Sequence, residues 1–153
     1  MKKIAIGCDH GGFELKEILK KYLTKKGYGV EDFGTDSGDS CDYPLIGYEV
    51  AESVSEGKFK KGILICKSGI GMAIIANKLK NVRSGVCNTI SQARTSRMHN
   101  DTNVLSLAAE YVTPAEAKKI VSVWLSTKAL TGRHKRRVKQ ISLLEKAKSS
   151  IQK

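Results

Sequence analysis

Short apolar runs of four to six residues, each closed by glycine or polar positions, recur along the chain at 4–8, 30–33, 62–66, 82–87 and 104–107. Runs of that length are too short for helices and suit strands buried on both faces, as in a parallel sheet. Between them the spacing becomes helical. Leu15, Ile18, Leu19, Tyr22 and Leu23 share one face, and Val50, Ala51 and Val54 share another. Further helical stretches are predicted over 72–79 and from Ser91 onward. Thr113-Pro114-Ala115-Glu116 combines an N-cap residue, a proline at the first helical position and a glutamate three after the cap, so a helix starts there and runs to about Lys128. A last helix from about His134 puts Val138, Ile141, Leu144 and Ile151 on one stripe and lysines and arginines on its other faces.

The βα alternation predicts a three-layer α/β/α sandwich around a Rossmann-like five-stranded parallel sheet, with ligands at the carboxyl ends of the strands. A chain of 153 residues suits one domain spanning 1–153. The polar loops 34–42 and 57–61 are too short to act as interdomain linkers, and there is no internal repeat. No apolar stretch approaches the roughly 20 residues that cross a bilayer, and Met1-Lys2-Lys3 leads directly into a strand pattern, so no membrane association and a cytoplasmic location are expected.

Charge changes this picture little. Of the formal +12, the stretch 128–153 carries +8, with nine basic residues and one acid, Glu145. A nucleic-acid-binding module is the reading that such a tail raises. The tail lacks aromatic residues for base stacking and has an apolar stripe suited to packing, so no nucleic-acid partner is expected. Cys8, Cys41, Cys66 and Cys87 are widely spaced with no C-x-x-C pair, which points away from a zinc ribbon or a thioredoxin-type site. Reduced thiols and no metal are expected.

Four clusters could carry chemistry. Cys8-Asp9-His10-Gly11-Gly12 follows the first strand; its Asp and His suit a hydroxyl and an anion, or simply a helix cap. Cys66-Lys67-Ser68-Gly69-Ile70-Gly71 sets a thiol at the mouth of a glycine-rich turn whose amides form an anion nest, an arrangement that favours the thiolate. A buried structural cysteine beside a packing turn is the alternative. Arg97-Met98-His99-Asn100-Asp101, between a helix and the fifth strand, pairs a titrating group with an amide donor, or else holds a histidine favoured by a helix C-terminus. Arg133 and Arg137, four apart, can grip one phosphate or form part of a solvated face.

In register, these clusters resemble the ribose-5-phosphate isomerase B family, which includes allose-6-phosphate isomerase and the galactose-6-phosphate isomerase subunits. The likeness spans nearly the whole chain. It rests on Gly7-Cys8-Asp9-His10-Gly11-Gly12, Asp42-Tyr43-Pro44, Gly62-Ile63-Leu64-Ile65-Cys66, Gly69-Ile70-Gly71, Ala76-Asn77-Lys78, His99-Asn100-Asp101, Asn103-Val104-Leu105 and Gly132-Arg133-His134.

The resemblance implies a cofactor-free aldose–ketose isomerase acting on a sugar phosphate, ribose 5-phosphate by preference, with allose 6-phosphate and galactose 6-phosphate as alternatives. It implies Cys66 as the base at C2, Ser68 acting on substrate oxygens, and His99 helped by Asp9 in ring opening. His10, Arg133 and Arg137 would grip the phosphate. Asn100 and the amides of Gly69 to Gly71 would receive the enediolate charge, with Tyr43 as a pocket wall. It also implies a homodimer with shared sites, the helix 134–153 docking on the partner; whether dimers pair into tetramers is left open. Two positions depart from the family pattern: Lys67 stands where glycine is usual, adding a cation to the substrate-binding turn, and Glu110 stands where many relatives have arginine.

Overall fold

A computed structural model describes residues 1–151, with side chains through 147. Five strands, β1 (Lys3–Cys8), β2 (Gly29–Asp32), β3 (Gly62–Cys66), β4 (Ser84–Val86) and β5 (Val104–Ala108), form one sheet in the order β2-β1-β3-β5-β4. Every pairing is parallel. β1, β3 and β5 are buried almost throughout, as continuous apolar runs require when helices cover both faces. β4 is shorter than its apolar run: Val82 and Cys87 are buried but lie outside the paired segment.

Six helices connect the strands: α1 (Phe13–Lys25), α2 (Tyr43–Ser55), α3 (Ile70–Ala76), α4 (Ile90–Asn100), α5 (Pro114–Ser126) and α6 (Arg133–Ile151). Strand alternation divides the core. Ile4, Ile6, Ile63, Ile65, Leu105 and Leu107 face one side, where α1, α4 and α5 pack through Leu19, Ala93 and Trp124. Ala5, Leu64, Cys66 and Val104 face the other, where α2 and α3 pack through Val50, Ala51 and Met72. The three-layer α/β/α sandwich is therefore the observed architecture.

Helix ends follow local chemistry. At α5 the Thr113 hydroxyl accepts from the Glu116 amide while the Glu116 carboxylate accepts from the Thr113 amide, a reciprocal cap. That helix stops at Ser126, two residues before the predicted end, where Thr127 turns to extended backbone. α3 begins at Ile70 and ends at Ala76, shifted from the predicted 72–79 because Gly69 at φ +73° starts the helix immediately after the turn. α4 runs through His99 and Asn100 to a left-handed Asp101, so that pair lies in the last helical turn and not in a connecting loop.

α6 contacts α4, and the Glu145 carboxylate accepts from the Asn81 amide. Its predicted stripe is largely uncovered in the single chain: Val138 is half-buried, whereas Ile141 and Leu144 are exposed. Ile151, the last position of the stripe, lies outside the residues with described side chains. Among the described residues no helix is long and apolar enough to cross a membrane.

Candidate active site

The chain leaves β1 for β2 on one side and reaches β3 on the other, so the sheet changes winding direction between β1 and β3. Open α/β sheets form their ligand crevice at the carboxyl ends of such a strand pair. Here those ends carry Asp9 and Cys66. Asp9 is buried and its carboxylate accepts from the Gly11 amide at 2.9 Å, while its own amide donates to the Ile65 carbonyl at 3.2 Å. The loop after β1 is thereby fastened to the end of β3.

Cys66 is buried at 5 % exposure, and its Sγ accepts from the Gly69 amide at 3.1 Å. The amide thereby fixes the sulfur at the mouth of the turn. Gly69 can make it because it adopts φ +73°, and because a Cβ there would lie 3.1 Å from the Leu107 carbonyl carbon. The turn sits directly on the end of β5: the amides of Ala109 and Glu110 donate to the carbonyls of Cys66 and Lys67 at 2.9 and 3.1 Å. The half-exposed Ser68 accepts the Ile70 amide at 3.3 Å.

Tyr43 closes one side. A Cβ on Gly71 would fall 2.8 Å from the Tyr43 ring, so the absence of a side chain at 71 is what lets the phenol lie across the turn. His10 accepts the Cys41 amide through Nδ1 at 3.3 Å, which leaves Nε2 free to donate. Lys67 lies along Gly11, and its Nζ stands 4.0 Å from the Glu110 carboxylate. The two departures from the family pattern therefore meet as a pair of opposite charges on the rim.

Cys8 and Cys87 are also buried. Burial pushes the Cys8 thiol up to about 11, and burial likewise raises Cys87, so neither is equipped to act as a base near neutrality. Cys41 is half-exposed in the loop beside His10. All four are free thiols.

The second half of the predicted machinery lies elsewhere. Val104 pairs with Gly62 at the start of β3, and Ala108 pairs with Cys66 at its end. His99 and Asn100 precede Val104, so they sit at the amino edge of the sheet, at least about 13 Å from Cys66 by strand rise alone. There the His99 ring stacks on His134 at 4.2 Å with 4° between planes, and His99, Asn100, His134 and Arg137 line a cleft of about 230 Å³. Arg133 and Arg137 are exposed. The His134 imidazolium is disfavoured by lost solvation and then by the charges of His99, Arg133 and Arg137, which lowers its pKa. Within one chain, then, Asp9, His10, Tyr43, Cys66, Lys67, Ser68, Gly69 and Gly71 come together, and His99, Asn100, Arg133 and Arg137 form a separate group.

The family model for ribose/galactose isomerases matches residues 4–141. The chain belongs to that family. Ribose-5-phosphate isomerase B of Escherichia coli is 44% identical over 149 residues, covering 97% of this chain and 100% of the relative. The structure of Clostridium thermocellum ribose-5-phosphate isomerase B superposes with a TM-score of 0.92 at 46% identity, covering 95% of this chain and 98% of that one. The Mycoplasma genitalium ribose-5-phosphate isomerase B with bound ribulose-5-phosphate gives 0.91 at 37% identity, covering 94% and 96%.

Two features of this isomerase-family site leave no signal in the sequence. The His134 ring lies flat on His99, and the spacing of 35 residues gives no periodic signal for that contact. The Cys41 amide, which fixes the His10 ring, is a backbone group and so invisible to residue-type reasoning. Among the described residues no group of three or more His, Cys, Asp or Glu could hold a metal ion.

Proposed function

We propose that this protein interconverts ribose 5-phosphate and ribulose 5-phosphate by moving a proton between C1 and C2 through a cis-enediolate. The observation that carries this reading is the Cys66 sulfur under the Gly69 amide, at the crevice between β1 and β3, in a chain of this family. Removing a proton beside a carbonyl creates negative charge on oxygen, so a base needs amide donors next to it. Cys66 takes the C2 proton and returns it at C1. Ser68 contacts the substrate oxygens, the amides of Gly69 to Gly71 receive the enediolate charge, and Tyr43 forms the wall beside them.

A positioned base contributes about 10²–10⁴-fold, and one preorganised oxyanion donor roughly 3–4 kcal/mol. The phosphate supplies binding energy remote from the reacting carbons and holds a small sugar in a reactive pose. His10, Arg133 and Arg137 are assigned to that grip, His99 and Asp9 to ring opening, and Asn100 to the enediolate. Because His99, Asn100, Arg133 and Arg137 lie at the far edge of the same chain, we assign them to the Cys66 centre of a second copy. The exposed Ile141 and Leu144 of α6 give that copy an apolar surface to cover. The reading is thus a homodimer with shared sites, each chain a single domain, working in the cytoplasm.

The test is a coupled assay of the purified protein on ribose 5-phosphate, allose 6-phosphate and galactose 6-phosphate. Turnover of ribose 5-phosphate well above the hexose phosphates is expected. Silence on ribose 5-phosphate with turnover of another of these sugars would reassign the substrate, and silence on all three would reject the reading.

A further inference from the structure

The amino edge of the sheet carries a second cleft, of about 500 Å³, lined by Met1, Lys2, Lys3, Ile4, Tyr28, Lys58, Phe59, Lys60, Lys61 and Leu125. Its size suits a ligand of nucleotide dimensions. None of its lining residues belongs to the cleft of His99, His134 and Arg137, nor to the Cys66 crevice.

Its chemistry is divided in a way that specifies a ligand. Ile4 and Phe59 are buried and provide an apolar floor, with Tyr28 and Leu125 half-buried beside them. The charged groups in the lining are all cationic: five lysines and the Met1 α-amino group. Lys58 pairs with Glu56 at 2.7 Å, and among the described residues Lys2, Lys3, Lys60 and Lys61 have no carboxylate within salt-bridge distance.

Lys61 is the central group. Its ammonium lies 5.0 Å from the centre of the Trp124 ring and donates to the Leu125 carbonyl at 3.1 Å. Burial lowers its pKa to about 8, with Arg97 and Lys2 acting in the same direction and Asp101 against them. Such a cation is one that an incoming anion would stabilise.

We propose that this cleft binds a phosphorylated ligand bearing a flat apolar group, the chemistry of a nucleoside phosphate, with the phosphates on Lys2, Lys3, Lys60 and Lys61 and the ring on Phe59 and Tyr28. An effector site would thereby lie at the sheet's amino edge, with lining residues distinct from those of the His99 cleft.

Trp124 is the one tryptophan of the chain and touches Lys61, so its fluorescence reports on the cleft. The experiment titrates the full-length protein with ADP, adenosine and pyrophosphate separately. Saturable change with ADP is expected, with adenosine and pyrophosphate each at least about tenfold weaker, because one lacks the anion and the other the ring. At pH 8, calorimetry in buffers of different ionisation heat should show proton uptake with ADP as the Lys61 pKa rises.

Lys61→Met and Lys60→Glu should each weaken the ADP response at least about tenfold, a loss of roughly 1.4 kcal/mol. Arg137→Ala, at the other cleft, should leave it unchanged. Lys60 is exposed, so its replacement tests the site even if Lys61→Met were to unfold the chain. No response to ADP at millimolar concentration would overturn the proposal. So would pyrophosphate binding as tightly as ADP, or loss of the response in Arg137→Ala.

Discussion

The Gly69 amide donates to the Cys66 sulfur across 3.1 Å from a residue held at φ +73°. A side chain at 69 would pay roughly 1–2 kcal/mol for left-handed backbone and would press against the Leu107 carbonyl at 3.1 Å. Gly69→Ala should therefore displace the amide and lower kcat by about 10²–10³. Cys66→Ala should lower kcat at least as far with little change in affinity for a phosphate ligand, whereas Arg137→Ala should mainly raise KM. Steady-state kinetics with a competitive phosphate inhibitor separates these; the opposite split would mean that the roles are exchanged.

Lys67 and Glu110 are each more than half exposed, so their 4.0 Å pairing contributes at most about 1 kcal/mol to stability. Whether the Lys67 ammonium acts on the neighbouring thiol is open to a direct test. Lys67→Gly should slow alkylation of Cys66 at neutral pH several-fold, and Glu110→Gln should accelerate it, by leaving the ammonium uncompensated. Peptide mapping after iodoacetamide treatment follows each cysteine separately. Coincident rates in wild type and Lys67→Gly would show that the cation does not act on the sulfur.

Lys16 is fully buried on α1, and its ammonium reaches Asp32 at 2.7 Å and the Thr35 carbonyl. Burial works to raise the Asp32 pKa, but Lys16, Lys20 and the Gly34 amide outweigh it and hold the carboxylate below its ordinary value. Asp32→Ala strands a buried ammonium and should cost about 3–5 kcal/mol of stability. Lys16→Met should cost clearly less, since Asp32 keeps Lys20 at 2.6 Å. Chemical denaturation of the two variants measures the difference.

Lys16 also marks where sequence reading stopped. The helical spacing predicted Ile18 on the buried face of α1, yet Ile18 is only half-buried while Lys16 is enclosed. Periodicity registers apolar positions and is blind to a lysine drawn inward by a carboxylate sixteen residues away. The strands were legible because β1, β3 and β5 are buried on both faces and so leave near-continuous apolar runs, interrupted in β5 by Ser106. Cys66 and Gly69 were legible because thiol and turn are contiguous in sequence. That His99 would sit at the opposite edge from Cys66 follows from α4 running antiparallel to the strands, a consequence of topology that the cluster's own residues do not encode.

Stability in alkaline solution carries a signed prediction. Lys61 titrates at about 8 in the fold against an ordinary 10.5, so between those values the unfolded chain holds a proton that the fold has released, and stability rises with pH. Cys8 titrates at about 11 against 9.0, so from pH 9 upward the fold holds a proton that the unfolded chain has lost, and stability falls. The Lys61 rise should therefore be visible between pH 8 and 9 and opposed above it. Denaturant midpoints across this window should climb in wild type and stay flatter in Lys61→Met; equal slopes would show that Lys61 is ordinarily solvated.

The separation of His99 from Cys66 within one chain leads to the most decisive prediction. If each site takes Cys66 from one copy and His99 from another, Cys66→Ala and His99→Ala homodimers are both inactive, for different reasons. A mixed dimer has one site in which the intact Cys66 of one chain meets the intact His99 of the other, and one site lacking both. Random reassortment of equal amounts makes half the dimers mixed, so about a quarter of the wild-type rate should return. Mixing under conditions that exchange subunits, followed by the ribose 5-phosphate assay, measures this directly. The same mixing of Cys66→Ala with Gly69→Ala should restore nothing, because both changes fall on the same half-site. Recovery in that second pair, or none in the first despite exchange shown by differently tagged chains, would mean that the two groups do not meet across copies.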